Sequence, residues 1–252
     1  MHARRLWLLG PLATVLATTL PRSAQAWEWN SWGSGPKIEG SGKVIELRRS
    51  LGSFSRLRIE GPFNVVAGVG SAGAATIKAD DNIVPLIQTE ISGDTLIIKA
   101  KSNQSYSSRS GLLVTVDFQT LKAAEVRGSG NLQINSLKAD AFALSVSGSG
   151  DARMLDTDVK QLEVSIAGSG DITVEGRADS AAYNIAGSGD VRAEKLLAKR
   201  SSVSIAGSGD AVVHASESLD VSIAGSGDVR YAGNPPQVKR SVVGSGEVKP
   251  LR

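Results

Sequence analysis

The sequence predicts an all-β fold: a parallel β-helix, or β-solenoid, with rungs of about 20 residues. Three observations predict it. Gly-Ser-Gly recurs seven times, beginning at Gly128, Gly148, Gly168, Gly187, Gly207, Gly225 and Gly244, at steps of 18 to 20 residues. Self-similarity at that period marks a stacked architecture. Two residues before each tripeptide stand Val126, Val146, Ile166, Ile185, Ile205, Ile223 and Val242, and two residues after it stand Leu132, Ala152, Ile172, Val191, Ala211, Val229 and Val248. Alternation on both sides of a glycine corner reads as strand, turn, strand. One copy is too short to bury its own apolar columns, whereas copies stacked at about 4.8 Å bury them against one another. Thirdly, no ten-residue helical pattern interrupts the repeat, as a leucine-rich repeat would require, and a propeller blade needs about 40 residues.

Taken in chain order, the first 26 residues read as a secretory signal peptide. Arg4 and Arg5 form a positive start, Leu6 to Leu20 is apolar, and Ala24-Gln25-Ala26 supplies the small-x-small cleavage signal, so the mature chain is expected to begin at Trp27. The apolar run falls short of the ~20 residues of a membrane span, and no later segment is apolar enough to cross as a helix. Without cysteine the sequence offers no lipidation site, disulfide or thiolate metal site. Residues 27–42 form a leader rich in Trp, Gly and Ser. Trp27, Trp29 and Trp32 there can stack on sugar rings or cover the first rung, since an open β-helix end invites edge pairing.

The solenoid domain is expected over residues 43–250. In its first part, strands are predicted at Phe54 to Ile59, Phe63 to Ala67, Thr76 to Ala79, Ile87 to Ser92, Thr95 to Lys99 and Leu112 to Phe118. Asp80-Asp81-Asn82 can cap a short helical turn before Pro85, Gly93-Asp94 signals a hairpin, and Ser102 to Ser110 is a polar loop. From Val126 onward the GSG rungs take over. The corner glycines answer a repeated need for positive φ. The residue after each tripeptide is Asn131, Asp151, Asp171, Asp190, Asp210, Asp228 or Glu247. Such side chains bond nearby backbone N–H groups at turns, a reading preferred to a cation-binding row. Arg153, Arg192, Arg230 and Lys249, two residues further on, supply compensating charge.

Here the sequence resembles a known family, the auto-transporter adhesin head GIN domain of bacterial exported proteins. The resemblance is carried by Phe54 to Ile59, Gly61-Pro62-Phe63-Asn64-Val65-Val66, Ala79-Asp80-Asp81-Asn82-Ile83-Val84-Pro85, Gly93-Asp94-Thr95-Leu96-Ile97-Ile98 and the Gly-Ser-Gly-Asp rungs. It implies a right-handed β-helix on the outer side of the inner membrane. It brings no catalytic residues, and the adhesin label is an inference from shape. A C-terminal membrane barrel of the auto-transporter kind is not expected here, because the rungs run to the last residues of the sequence.

Composition excludes several functions. Arg4, Arg5 and Arg22 leave with the signal, which has no acid, so 28 Lys+Arg become 25 against 25 Asp+Glu. A neutral mature chain has no electrostatic attraction for nucleic acid or anionic lipid. Gly68-Val69-Gly70-Ser71-Ala72-Gly73 matches a dinucleotide motif, but the following Ala74 to Asp80 reads as strand, where a pyrophosphate site needs a helix N-terminus; a flexible turn is expected. His214, the only histidine after the signal, is expected to be an exposed side chain, and no catalytic constellation, metal site or cofactor is predicted.

What remains is a face. Three residues before the corners stand Ser145, Ser165, Asn184, Ser204 and Ser222, and beside them Ala167, Ala186, Ala206 and Ala224. Stacked in register they form a flat, uncharged strip with few side chains to order on contact, although small residues also suit a tightly stacked sheet. The predicted function is a non-enzymatic extracytoplasmic binding, adhesion or scaffold module, exported to the periplasm, cell surface or medium, that meets a glycan, a cell-surface protein or its own copy. The alternatives are a carbohydrate-active β-helix enzyme and a self-associating structural envelope protein.

Overall fold

Each GSG corner joins two strands that stack, rung on rung, into parallel sheets. The computed structural model describes residues 37–251 apart from 71, 72, 103 and 109. The signal peptide and Trp27, Trp29 and Trp32 lie outside these residues. Before the corner, Ala123–Gly128, Leu137–Gly148, Ala152–Gly168, Ile172–Gly187, Leu196–Gly207, Ser218–Gly225 and Gln237–Gly244 run parallel, with the first glycine of every corner over that of its neighbour. After the corner, Asn131–Ile134 begins a second parallel stack that ends with Val229–Ala232 and Val248–Pro250. The right-handed β-helix expected from the sequence is therefore the fold.

The two glycines of a corner are required for different reasons. Gly168 has a φ of +137°, a conformation that only glycine adopts without strain. Gly170 has no positive φ; instead a Cβ there would collide with the carbonyl oxygen of Gly150 on the next rung. The positive φ expected at the corner therefore accounts for the first glycine only.

A third face escaped the sequence reading. In the middle rungs Leu137, Thr157, Gly176 and Leu196 pair in one further row, at the start of strands that then bend into the corner-facing stack. The last two rungs replace this face with loops between His214 and Ser218 and between Ala232 and Gln237. The shortest step, 18 residues from Gly207 to Gly225, falls there.

Inward positions interlock by volume. Val126, Val146, Ile166, Ile185, Ile205 and Ile223 are all buried, as are Leu132, Ala152, Ile172, Val191, Ala211 and Val229. A third inward column reads Ala124, Leu144, Val164, Tyr183, Val203 and Val221. The rung that carries Tyr183 has Gly176, Ala178 and Ala181 where the preceding rung has Thr157, Val159 and Leu162. Ala178 and Ala181 thus offset the volume of the large ring within one rung, whereas Gly176 has a backbone reason, a φ of +135°.

The N-terminal part continues the same stacks and then closes them. Arg56–Glu60 and Asn64–Val69 lie under the first GSG rung, and Thr95–Ala100 and Leu113–Phe118 lie under those, all parallel. Antiparallel partners end both stacks: Ile87–Ser92 on one, Ala74–Asp80 and then Val44–Ser50 on the other. The Arg49 guanidinium joins the two, donating to Ile87 O at 2.7 Å and Thr89 Oγ1 at 3.2 Å. Val44–Ser50 was not predicted as a strand.

Two local expectations need correction. The short helical turn is a 3-10 helix, Val84–Leu86, that contains Pro85 and has no side-chain cap. Asp80 instead is fully buried and accepts from Gly42 N, Ser108 Oγ and Ser110 Oγ, which ties the polar loop to the cap. Within that loop Tyr106–Ser107 pairs in parallel with Ile38–Glu39. Ala74–Asp80 is strand, as expected, but Gly70 and Gly73 before it serve close approach: a Cβ would lie 2.7 Å from Asp117 Cβ or from Gly52 O respectively.

Candidate contact face

The strip predicted from the sequence lies on the outer surface of the corner-facing stack. Ser145, Ser165, Asn184, Ser204 and Ser222 are register partners across five rungs, and Ser147, Ala167, Ala186, Ala206 and Ala224 form the adjacent row. Asn184, Ser204 and Ser222 are exposed, as are the four alanines, while Ser145 and Ser165 are half-buried. Alternation explains the arrangement: the strand positions between them point into the core.

Charge borders the strip on two sides without entering it. Towards the N-terminal end, Arg58 Nε donates to Glu125 Oε2 at 2.8 Å and Arg127 Nε to Glu125 Oε1 at 2.6 Å. Burial pushes the Glu125 carboxyl up, but the hydrogen bonds from Arg127 and Arg58 outweigh it and hold the group below the usual carboxylate range. The bend towards the third face carries charges of alternating sign, with Lys160 2.6 Å from Asp140 and Lys199 2.8 Å from Asp179. Those hydrogen bonds lower both carboxyls.

Between the strip and that bend runs a groove of about 850 Å³ lined by Lys122, Gln161, Glu163, Arg200, Ser202 and Asp220, among others. No local sequence signal marks it, because it is made by the bend into the third face. Glu163 and Asp220 share one outward column, three rungs apart. At ~4.8 Å per rung that is ~14 Å, wider than the roughly 5–9.5 Å between the carboxylates of a glycosidase.

The acids after the corners lie on the other side of the turn, away from the strip. Their bonds are not local: Asn131 Oδ1 accepts from Asp151 N, Asp151 Oδ1 from Asp171 N, and so on to Glu247 N. Arg192 compensates Asp171 at 2.9 Å and Asp190 at 3.4 Å, whereas Arg153 bonds Glu175. Among the described residues no three potential metal ligands converge. His214 is half-buried, not exposed, with Nδ1 3.2 Å from Ala198 O. No aromatic side chain among the described residues is exposed, so contact at this face rests on hydroxyl, amide and methyl groups. No helix among them is long and apolar enough to cross a membrane.

A stacked parallel body whose N-terminal end is covered by antiparallel strands defines a β-solenoid. The chain belongs to the family described as "Putative auto-transporter adhesin, head GIN domain", whose model matches residues 53–235. Among solved structures it is similar to a "putative adhesin" of Bacteroides fragilis, with 27% identity and a TM-score of 0.81, covering 85% of this chain and 100% of that one. It is similar to a "putative lipid binding protein" of Parabacteroides distasonis, with 25% identity and a TM-score of 0.73 over 86% and 100% of the two chains. A "putative adhesin" of Parabacteroides merdae gives 25% identity and a TM-score of 0.70 over 86% and 99%. No curated protein gave a significant match.

Proposed function

We propose that this protein is a non-enzymatic, exported binding module that holds a cell-surface glycan or protein against the strip from Ser145 to Ala224. One observation carries the reading: two adjacent rows, five rungs deep, are uncharged and in register, with ion pairs at their N-terminal end and along the bend. Short side chains lose little rotamer freedom when a partner covers them. The adhesin description of the family supports a binding role and an exported location in the periplasm or at the surface. The test is a chain carrying Ser165→Lys, Ser204→Lys and Ala206→Lys together, assayed for retention on native envelope glycans and cells, with analysis of any products. Loss of retention with an unchanged circular dichroism spectrum and melting temperature is expected. Full retention, or release of shortened glycans by the parent, overturns the proposal. Sequencing of the exported protein is expected to start at Trp27.

A further inference from the structure

Among the described residues the two ends of the stack differ. At the N-terminal end, antiparallel strands cover the stacks. At the other end, Gln237–Gly244 and Val248–Pro250 are each paired on one side only among the described residues. Val238 and Val242 continue the inward apolar columns above Leu219 and Ile223 and are 38% exposed. A further rung laid on these valines would extend the core, and free edge strands are ready templates for that.

The third inward column breaks the pattern. It runs Ala124, Leu144, Val164, Tyr183, Val203, Val221 and then Arg240, in register with Val221. Six residues are buried, and the seventh is an exposed guanidinium. Nothing in the rung's own geometry demands a charge there, since Val221 fills the same position one rung below. Pro250 adds to the effect, because it removes a backbone donor from the companion edge.

We propose that Arg240 is a stop residue that keeps this end of the solenoid from stacking on a second copy of the chain. Two copies that meet end to end through these edges bring Val238 and Val242 into contact only if they also bury Arg240. A guanidinium cannot shed its charge to enter an apolar interior, and an unpaired buried charge is strongly unfavourable. Inward-pointing charge on an edge strand is a known device against such pairing.

The inference is independent of the proposed contact strip, and its test reads mass instead of ligand binding. Arg240→Leu and Arg240→Val restore the apolar column. In light scattering after size exclusion, both variants are expected to show twice the parent's mass or more at concentrations where the parent is monomeric. Arg240→Glu, which keeps a charge of the other sign, is expected to remain monomeric. The proposal is overturned if folded Arg240→Leu and Arg240→Val keep the parent's mass. It is equally overturned if Arg240→Glu associates as they do, or if the parent already associates through this end.

Discussion

Asp171 Oδ1 accepts the backbone N–H of Asp190, one rung further along, at 3.1 Å. The same bond links each GSG corner to the next, and an amide heads the series, since Asn131 Oδ1 accepts from Asp151 N at 3.2 Å. The ladder therefore uses an oxygen at a fixed position, not a negative charge. Asp210, whose Oδ1 accepts from Asp228 N at 2.8 Å, offers the cleanest test. Asp210→Ala is expected to cost about 1–2 kcal/mol, the range for a lost hydrogen bond with a backbone donor left behind. Asp210→Asn is expected to change stability by less than about 0.5 kcal/mol. Urea unfolding of the two variants decides between geometry and charge; an Asn variant as unstable as the Ala variant would revive a cation-binding row.

The corner glycines give a second prediction. Gly170→Ala places a Cβ against the Gly150 carbonyl, a backbone atom that no rotamer change can move. Overpacking of this kind costs about 1–3 kcal/mol or more, and because the rungs above and below are locked in register the upper end is expected. Gly93→Ala sits at a φ of +62° with no atom within 4 Å of the new Cβ, so it carries only the left-handed backbone cost of about 1–2 kcal/mol. Thermal melting should rank Gly170→Ala clearly below Gly93→Ala.

The inward columns give a third. Ile205 is 1% exposed between Ile185 and Ile223. Ile205→Asp buries an unpaired carboxylate and is expected to lower stability by several kcal/mol. Val242→Asp, at the exposed end of the same column, is expected to be nearly silent. Equal melting of the Ile205→Asp variant and the parent would mean that the column does not face the core.

The repeat made the body of the fold readable because its signals are local: β-branched residues two positions from a glycine corner report burial without reference to any other rung. The strip was readable for the same reason, as the outward complement of those columns. What escaped were features set by relations between rungs. The third face starts with Leu137, Thr157, Gly176 and Leu196, a row with no common residue type, and the groove depends on that face. Gly170 looks like Gly168 in sequence, yet only the stack above Gly150 shows that its constraint is contact. Asp171 looks like a turn residue, and its partner lies 19 positions away. The Val44–Ser50 strand has an exposed, charged pattern because it covers an edge and buries little.

The last prediction concerns a cost hidden in the core. Tyr183 is fully buried in the rung that also carries Ala178 and Ala181, but its hydroxyl has no hydrogen-bond partner. An unsatisfied buried hydroxyl costs about 1–3 kcal/mol, so Tyr183→Phe, which keeps the ring, is expected to stabilise the protein by at least about 1 kcal/mol. Burial also pushes the Tyr183 phenol up, and pushes that of half-buried Tyr106 up to about 12. The sign follows from linkage: a group whose folded value is raised keeps its full contribution below the unfolded value, ~10 for tyrosine, and loses it as pH rises towards the folded value. Above pH ~10 the unfolded chain releases the Tyr183 proton while the folded chain retains it, a loss of about 1.4 kcal/mol per pH unit. Urea midpoints measured between pH 8 and 11 should therefore place Tyr183→Phe above the parent throughout, with the gap widening beyond pH 10. A constant gap would mean that the phenol reaches solvent in the folded state, and a variant less stable than the parent would mean that the hydroxyl has a partner inside the core.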